Sequence, residues 1–280
     1  MELNRLQRTL AAPALFRGTG LHGGGSSILT VLPAPLDHGR LFRVGGRDLP
    51  CRLDRVVGTE RCTVLGDGEV RVATVEHVLA AAAGLGLDNL VLEIQGEEVP
   101  IMDGSALPFV QGFLQAGVVE QSAPIRPLSL DQPLFITRGD SLVVALPAEN
   151  PAFEAAIHFT HPLVGAQHFC FRPDQDEFVS SLAPARTFGF WDEVQALLER
   201  GLARGADFAN ALVIGGEDGF SSAPRFPDEP VRHKVLDLVG DLALLERPLQ
   251  ARVLAVRAGH RLHLELAGKI LKEGAHVRML

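Results

Sequence analysis

The chain contains no tyrosine, one tryptophan and three cysteines among its 280 residues. With no phenol, any acid, base or nucleophile has to come from the ten histidines, the carboxylates, Ser/Thr and Lys/Arg. Cys51, Cys62 and Cys170 are odd in number and lack C-x-x-C spacing, which argues against a disulfide framework and against a thiolate zinc site. Each is expected as a small buried or half-buried side chain rather than a nucleophile. Long apolar runs are missing too. The longest stretch without Asp, Glu, Lys or Arg, from Gly18 to Leu36, holds five Gly, two Pro and His22, so it is no membrane span. The first residues carry Glu2, Arg5 and Arg8 with no apolar segment of signal-peptide length, so no export signal is read and the cytoplasm is the expected compartment. The net charge of −8, from 26 basic against 34 acidic residues, argues against nucleic acid or an anionic membrane as the main partner.

What the chain does have is an ordinary globular composition, 46% hydrophobic and 21% charged, at a length that suits two domains or one large one. Residues Ile28 to Leu32, Leu90 to Ile94, Ser141 to Leu146 and Arg252 to Val256 read as strands. Helices are expected over Thr74 to Ala83, Pro108 to Ala116, Asp192 to Arg200 and Pro230 to Leu245, with Thr74 as an N-cap and Gly84 as a stop. The aperiodic run from Gln121 to Pro133, with three prolines, reads as a linker. It divides residues 1–123 from residues 124–280. The halves echo each other: Val75-Glu76-His77 opens a helix followed by a strand, and so does Val231-Arg232-His233. A duplicated α+β unit packed face to face would bring those two histidines together.

His233 and Asp237 stand four apart on a helix, about 40° apart on one face, with Asp241 about another 40° round. The apolar stripe Val231, Val235, Leu238 and Leu242 lies away from them. Either this is a solvated acidic face, or His233 and Asp237 are two metal ligands of the mixed N and O type that zinc accepts. Glu76-His77 is open in the same way. The pair is either a half-exposed Glu with a His packed beside the alanines, or a third ligand with a carboxylate next to it. Three ligands leave a position for water, and a neighbouring carboxylate can take its proton. His260 is a loop histidine or a leaving-group acid, with Asp241 as the carboxylate that keeps it protonated. The glycine-rich runs Gly18 to Gly25 and Val99 to Gly104 lack the P-loop pattern.

Eight motifs then occur in a familiar order: Gln7-Arg8-Thr9-Leu10, Gly18-x-Gly-Leu-His22, Thr74-Val75-Glu76-His77, Gly86-Leu87-Asp88-Asn89, Pro100 to Ala106, Ala185 to Phe190, Val231-Arg232-His233-Lys234 and Gly259-His260. Together they resemble the UDP-3-O-acyl-N-acetylglucosamine deacetylases, zinc amidases of lipid A biosynthesis. The resemblance implies two α+β domains of similar topology, each a sheet on a helical layer, with the active site between them. It implies one zinc ion per chain on His77, His233 and Asp237, Glu76 as base, His260 as acid supported by Asp241, and Thr187 as the oxyanion donor. Lys234 would face the substrate diphosphate and Phe159 the uracil ring. Residues 187–214 match an insert that lines a tunnel for the fatty-acyl chain, where Phe188, Phe190, Val194 and Phe208 would lie, with Leu21 and Arg257 as further substrate contacts. The implied partner is the acylated UDP-glucosamine alone, on a monomer. The chain departs from the family at Asp207, Ala209, Arg257, His158 and Ser141. A zinc amidase for another N-acyl sugar, or a binding homologue without turnover, stays open.

Overall fold

The structure is a computed structural model and describes residues 3, 5–174, 176–215, 219–273 and 275–277. The N-terminal half runs through β1 (Leu6–Leu10), β2 (Ala14–Thr19), β3 (Ser26–Pro33), β4 (Arg40–Val44), β5 (Arg47–Pro50), β6 (Val56–Gly58), β7 (Val64–Gly66), β8 (Arg71–Val72), α1 (Glu76–Gly84), β9 (Leu90–Gln95), α2 (Leu107–Ala116) and β10 (Val118–Pro124). The C-terminal half follows with β11 (Leu128–Leu130), β12 (Leu134–Arg138), β13 (Ser141–Pro147), β14 (Ala152–His158), β15 (Ala166–Phe171), α3 (Phe178–Ser181), β16 (Phe188–Phe190), α4 (Trp191–Glu199), β17 (Leu212–Ile214), α5 (Glu229–Leu242), β18 (Leu249–Val256), α6 (His260–Glu273) and β19 (Ala275–Val277). The chain is α+β, as its sequence implies.

The echo between the halves extends to the sheets. In the first, the order is β2-β3-β9-β4-β5, antiparallel at every step except the parallel pair of β9 with β4. In the second, β12-β13-β18-β14-β15 repeats this, with β18 and β14 as the parallel pair. Each central strand follows a helix, α1 or α5, and precedes another, α2 or α6. The alternation of β3, buried at every second residue, gives its sheet one dry face. The helices cover such faces: α2 packs on β2, α5 on β14 and β15, and α6 on β12 and β13. Then α1 and α5 pack on each other.

Three local expectations are corrected. Residues Gln121 to Pro133 are not a bare linker, because β10 pairs with β1 and β11 pairs with β18 and β19. Thr74 is not an N-cap: its φ is +57° and its hydroxyl donates to Glu98 instead. His260 is not in a loop but opens α6, a helix the sequence reading missed. Its apolar residues Leu262, Leu264 and Leu266 alternate like those of a strand, which hides the helical period.

Candidate active site

The place where α1 meets α5 is set by a missing side chain. A Cβ on Gly240 would lie 2.1 Å from the Glu76 carbonyl oxygen, so only glycine lets the start of α1 reach the middle of α5. That approach buries Glu76, His77, His233, Asp237 and Asp241 between the halves. The acidic face of α5 is therefore not solvated.

His77 and His233 meet edge to face with ring centroids 5.0 Å apart. Asp237 Oδ1 lies 3.2 Å from His233 Nε2 and 3.8 Å from His77 Nε2. His233 Nδ1 lies 3.0 Å from the Ala185 carbonyl and donates to it, so the ring presents Nε2 to Asp237. Burial, with His233 adding to it, pushes His77 down to about 3, so this imidazole is neutral. Burial alone would lift the Asp237 carboxyl, but His233 and Lys234 outweigh it and hold it well below the usual carboxylate range. Lys234 Nζ reaches Asp237 Oδ2 at 2.8 Å. Two imidazole nitrogens and an anionic oxygen within 4.8 Å of one another form a donor set for a cation, since zinc binds such atoms at about 2.0–2.2 Å.

One turn further along α5 the chemistry reverses. Asp241 Oδ2 is 2.8 Å from both His260 Nδ1 and His263 Nδ1, and its Oδ1 accepts from the Thr63 hydroxyl at 2.6 Å. Burial raises the Asp241 carboxyl, but His260 overcomes this and brings it down to about 2. An ionised carboxylate only accepts, so both Nδ1 atoms carry protons. Burial pulls His260 down, yet the charge and hydrogen bond of Asp241 prevail and raise it to about 10. Asp241, His260 and His263 have the residue types of a metal site. With a proton already in each 2.8 Å contact, they leave no gap for an ion.

Glu76 stands between the two groups. Its Oε2 accepts from the Thr63 N–H at 3.0 Å and its Oε1 lies 4.0 Å from His260 Nε2. Burial, reinforced by Asp241 and Asp237, pushes its carboxyl up to about 8. Neighbouring Cys62 is free and buried, its thiol pushed up to about 12 by burial, so it is no nucleophile. Cys51 is likewise free and buried, and Cys170 is free and half-buried.

Both groups open into one cavity of about 660 Å³. Of the sequence-derived site residues, Glu76, His77, His233, Lys234, Asp237, His260 and Thr187 line it, and so do Leu21, Phe188, Val194 and Phe208. Thr187 is held by its backbone, with N–H to Gly104 O and carbonyl from Leu212 N–H. Phe159, Phe190 and Arg257 lie off the cavity wall. Phe159 packs on Phe188 and Phe190, and Arg257 lies 3.7 Å from Asp140. The insert of residues 187–214 forms one side of the cavity. Its parallel strands β16 and β17 are joined across α4, and its far end grips the first glycine run. Gly205 N–H donates to the Leu21 carbonyl, and a Cβ on Gly205 would fall 2.1 Å from Gly20 O. Those glycines serve close packing, not phosphate binding. At the rim, Trp191 and Phe208 stack at 6.4 Å, both more than half exposed.

Sequence reasoning missed His263, Thr63 and Glu98. Glu98 is buried and accepts from His22 N–H, Gly23 N–H and the Thr74 hydroxyl. The spacing of His263 from His260, three residues on what proves to be a helix, was the available signal.

The sequence model of the UDP-3-O-acyl N-acetylglycosamine deacetylase family matches residues 7–272. The chain belongs to this family. Proteins named UDP-3-O-acyl-N-acetylglucosamine deacetylase match it closely. The one from Thermosynechococcus vestitus is 42% identical over 95% of this chain and 94% of its own. One from an Anaeromyxobacter species is 44% identical over 96% and 90%, and that of Myxococcus xanthus 41% over 95% and 87%. Membership agrees with the motif order read from the sequence. Among the described residues no helix is long and apolar enough to cross a membrane.

Proposed function

We propose that the chain hydrolyses the N-acetyl group of UDP-3-O-acyl-N-acetylglucosamine to acetate and a free amine, an early step of lipid A biosynthesis. One zinc ion would be held by His77, His233 and Asp237. The observation that carries the reading is the pair of buried groups one turn apart on α5. The Nε2 atoms of His77 and His233 flank Asp237, a protonated imidazole is held on Asp241, and both open on one cavity. The names of the relatives supply the substrate.

When bound, zinc supplies a Lewis acid at the acetyl carbonyl. Glu76, steadied by the Thr63 N–H, takes a proton from water as its oxygen bonds to the carbonyl carbon. The Thr187 hydroxyl donates to the developing oxyanion. His260, kept protonated by Asp241, passes its Nε2 proton to the leaving nitrogen as the C–N bond breaks. The apolar wall of Leu21, Phe188, Val194 and Phe208 suits the fatty-acyl chain, at about 0.8 kcal/mol per buried CH₂. Lys234 is assigned to the diphosphate and Phe159 to the uracil ring, with Arg257 as a further substrate contact, and Phe190 is assigned to the acyl-chain tunnel through its packing on Phe159.

Strand pairing supports a boundary within a residue of the proposed 123/124, since Pro124 still pairs with Leu6. Among the described residues, every strand up to Pro124 pairs within the first half, and every strand from Leu128 within the second. The same reading takes the chain as a cytoplasmic monomer, and the net charge of −8 supports the part of it that excludes nucleic acid. The decisive assay is acetate release from the acylated UDP-sugar by metal-stripped and zinc-reloaded protein. Release that returns with zinc is expected, and none under either condition contradicts the reading.

A further inference from the structure

The Asp241 carboxylate serves two imidazoles through one oxygen, and the mechanism above uses only one of them. His260 and His263 stand three apart on α6, so the helical repeat sets both rings on the face that meets α5. Both Nδ1 atoms lie 2.8 Å from Oδ2, and the ring centroids are 6.3 Å apart. Their outlooks differ. His260 lines the cavity, whereas His263 is 1% exposed and off its wall. His263 Nε2 is buried with no partner among the described residues, so the bond to Asp241 is the only polar tie the ring makes there. A buried polar atom left unpaired costs about 1–3 kcal/mol, and an apolar side chain in that space would avoid the loss. A ring that weakens the fold and touches neither solvent nor cavity has its use in its one bond.

We propose that His263 is a positioning residue for the proton donor: its Nδ1–H fixes the Asp241 carboxylate and draws charge from the oxygen shared with His260, so that His260 releases its proton more readily. The inference rests on His260 being the donor in the reaction proposed above. A carboxylate whose charge is spread over three hydrogen bonds, from His260, His263 and Thr63, grips any one proton less tightly. Without His263, Oδ2 bonds His260 alone. The imidazolium is then held harder and its orientation is less fixed. The cost falls on the chemical step and not on substrate binding, because His263 does not reach the cavity.

The test compares His263→Leu, which removes the donor, with His263→Asn, which keeps an N–H at a similar reach, in the full-length, metal-loaded protein. His263→Leu should lower kcat at least about tenfold, part of the 10²–10⁴ a positioned acid supplies, with KM and metal content unchanged. His263→Asn should recover most of kcat. Should the leucine variant fail to fold, His263→Gln, whose amide sits one carbon too far out, must show the same loss relative to Asn. A second readout does not depend on turnover. The proton NMR resonance of the His260 Nδ1–H, hydrogen-bonded to Asp241, should move downfield in His263→Leu and return in His263→Asn. A wild type that releases no acetate refutes the functional reading, and the resonance still decides the link between the two rings. Equal kcat in the Leu and Asn variants, a loss confined to KM, or an unmoved resonance overturns the proposal.

Discussion

Asp237 and Asp241 are the same residue type one turn apart on one helix, and both are buried. They differ in where their neighbours keep a proton. Asp237 faces imidazoles through Nε2, and at His233 the Ala185 carbonyl has already claimed the Nδ1 proton. Asp241 faces imidazoles through Nδ1, and among the described residues no carbonyl competes for those protons. One end of the pair is thus a gap between acceptors, suited to a cation. The other is an anion that keeps its imidazoles protonated. A carboxylate's role here follows from the tautomer of its neighbour, which in turn follows from which backbone oxygen lies behind the ring.

The comparison breaks most completely at the histidines of the first group. His77→Ala and His233→Ala should lose metal and acetate release together, and metal analysis of the purified variants checks this. Next comes Glu76, which belongs to neither group. Glu76→Ala should retain the metal yet lose about 10²–10⁴-fold in kcat, as expected for a positioned base. His260→Ala should also retain metal, and it tests the second group by its pH profile. Activity requires Glu76 without its proton and His260 with it. It therefore rises with pH through the Glu76 value, about 8 from burial, and falls through the His260 value, about 10. A bound cation beside Glu76 draws the lower value down and widens the plateau. In His260→Ala the maximum should drop and the falling limb flatten; a limb left in place would remove His260 from the acid role.

Smaller effects lie further out. Each methylene removed from the substrate's acyl chain should lower kcat/KM about fourfold, the equivalent of 0.8 kcal/mol, so long as the apolar wall contacts it. Phe208→Asp should hurt the acylated substrate more than its unacylated analogue, and equal losses would make the wall ordinary core. Gly240→Ala should cost about 1–3 kcal/mol, because the atom it meets is backbone and cannot swing away. Thermal unfolding checks this, and an unchanged Tm would mean that α1 and α5 have slack to part.

Much of this arrangement was legible in the chain. The Val-x-His repeat predicted that His77 and His233 would meet, and identical sheet orders in the two halves explain why they do. The faces of α5 were less legible. Helical spacing placed His233, Asp237 and Asp241 together, but whether that face was wet depended on Gly240, whose significance appears only once α1 is packed against it. Thr63 and Glu98 act from loops distant in sequence from the groups they bond, and no spacing rule reaches them. His263 was hidden by Leu262, Leu264 and Leu266, whose alternation reads as a strand. Phe159, Phe190 and Arg257 came from resemblance alone, and they lie off the cavity wall.

The central claim is that one helix carries a cation-holding carboxylate and, four residues on, a proton-holding one. Metal content and acetate release measured side by side for Asp237→Asn and Asp241→Asn test it most directly. Asp237→Asn should lose both the ion and the activity. Asp241→Asn should keep one ion per chain and lose only the rate. If the two variants lose metal alike, or Asp237→Asn holds its ion, the division between the two groups is wrong.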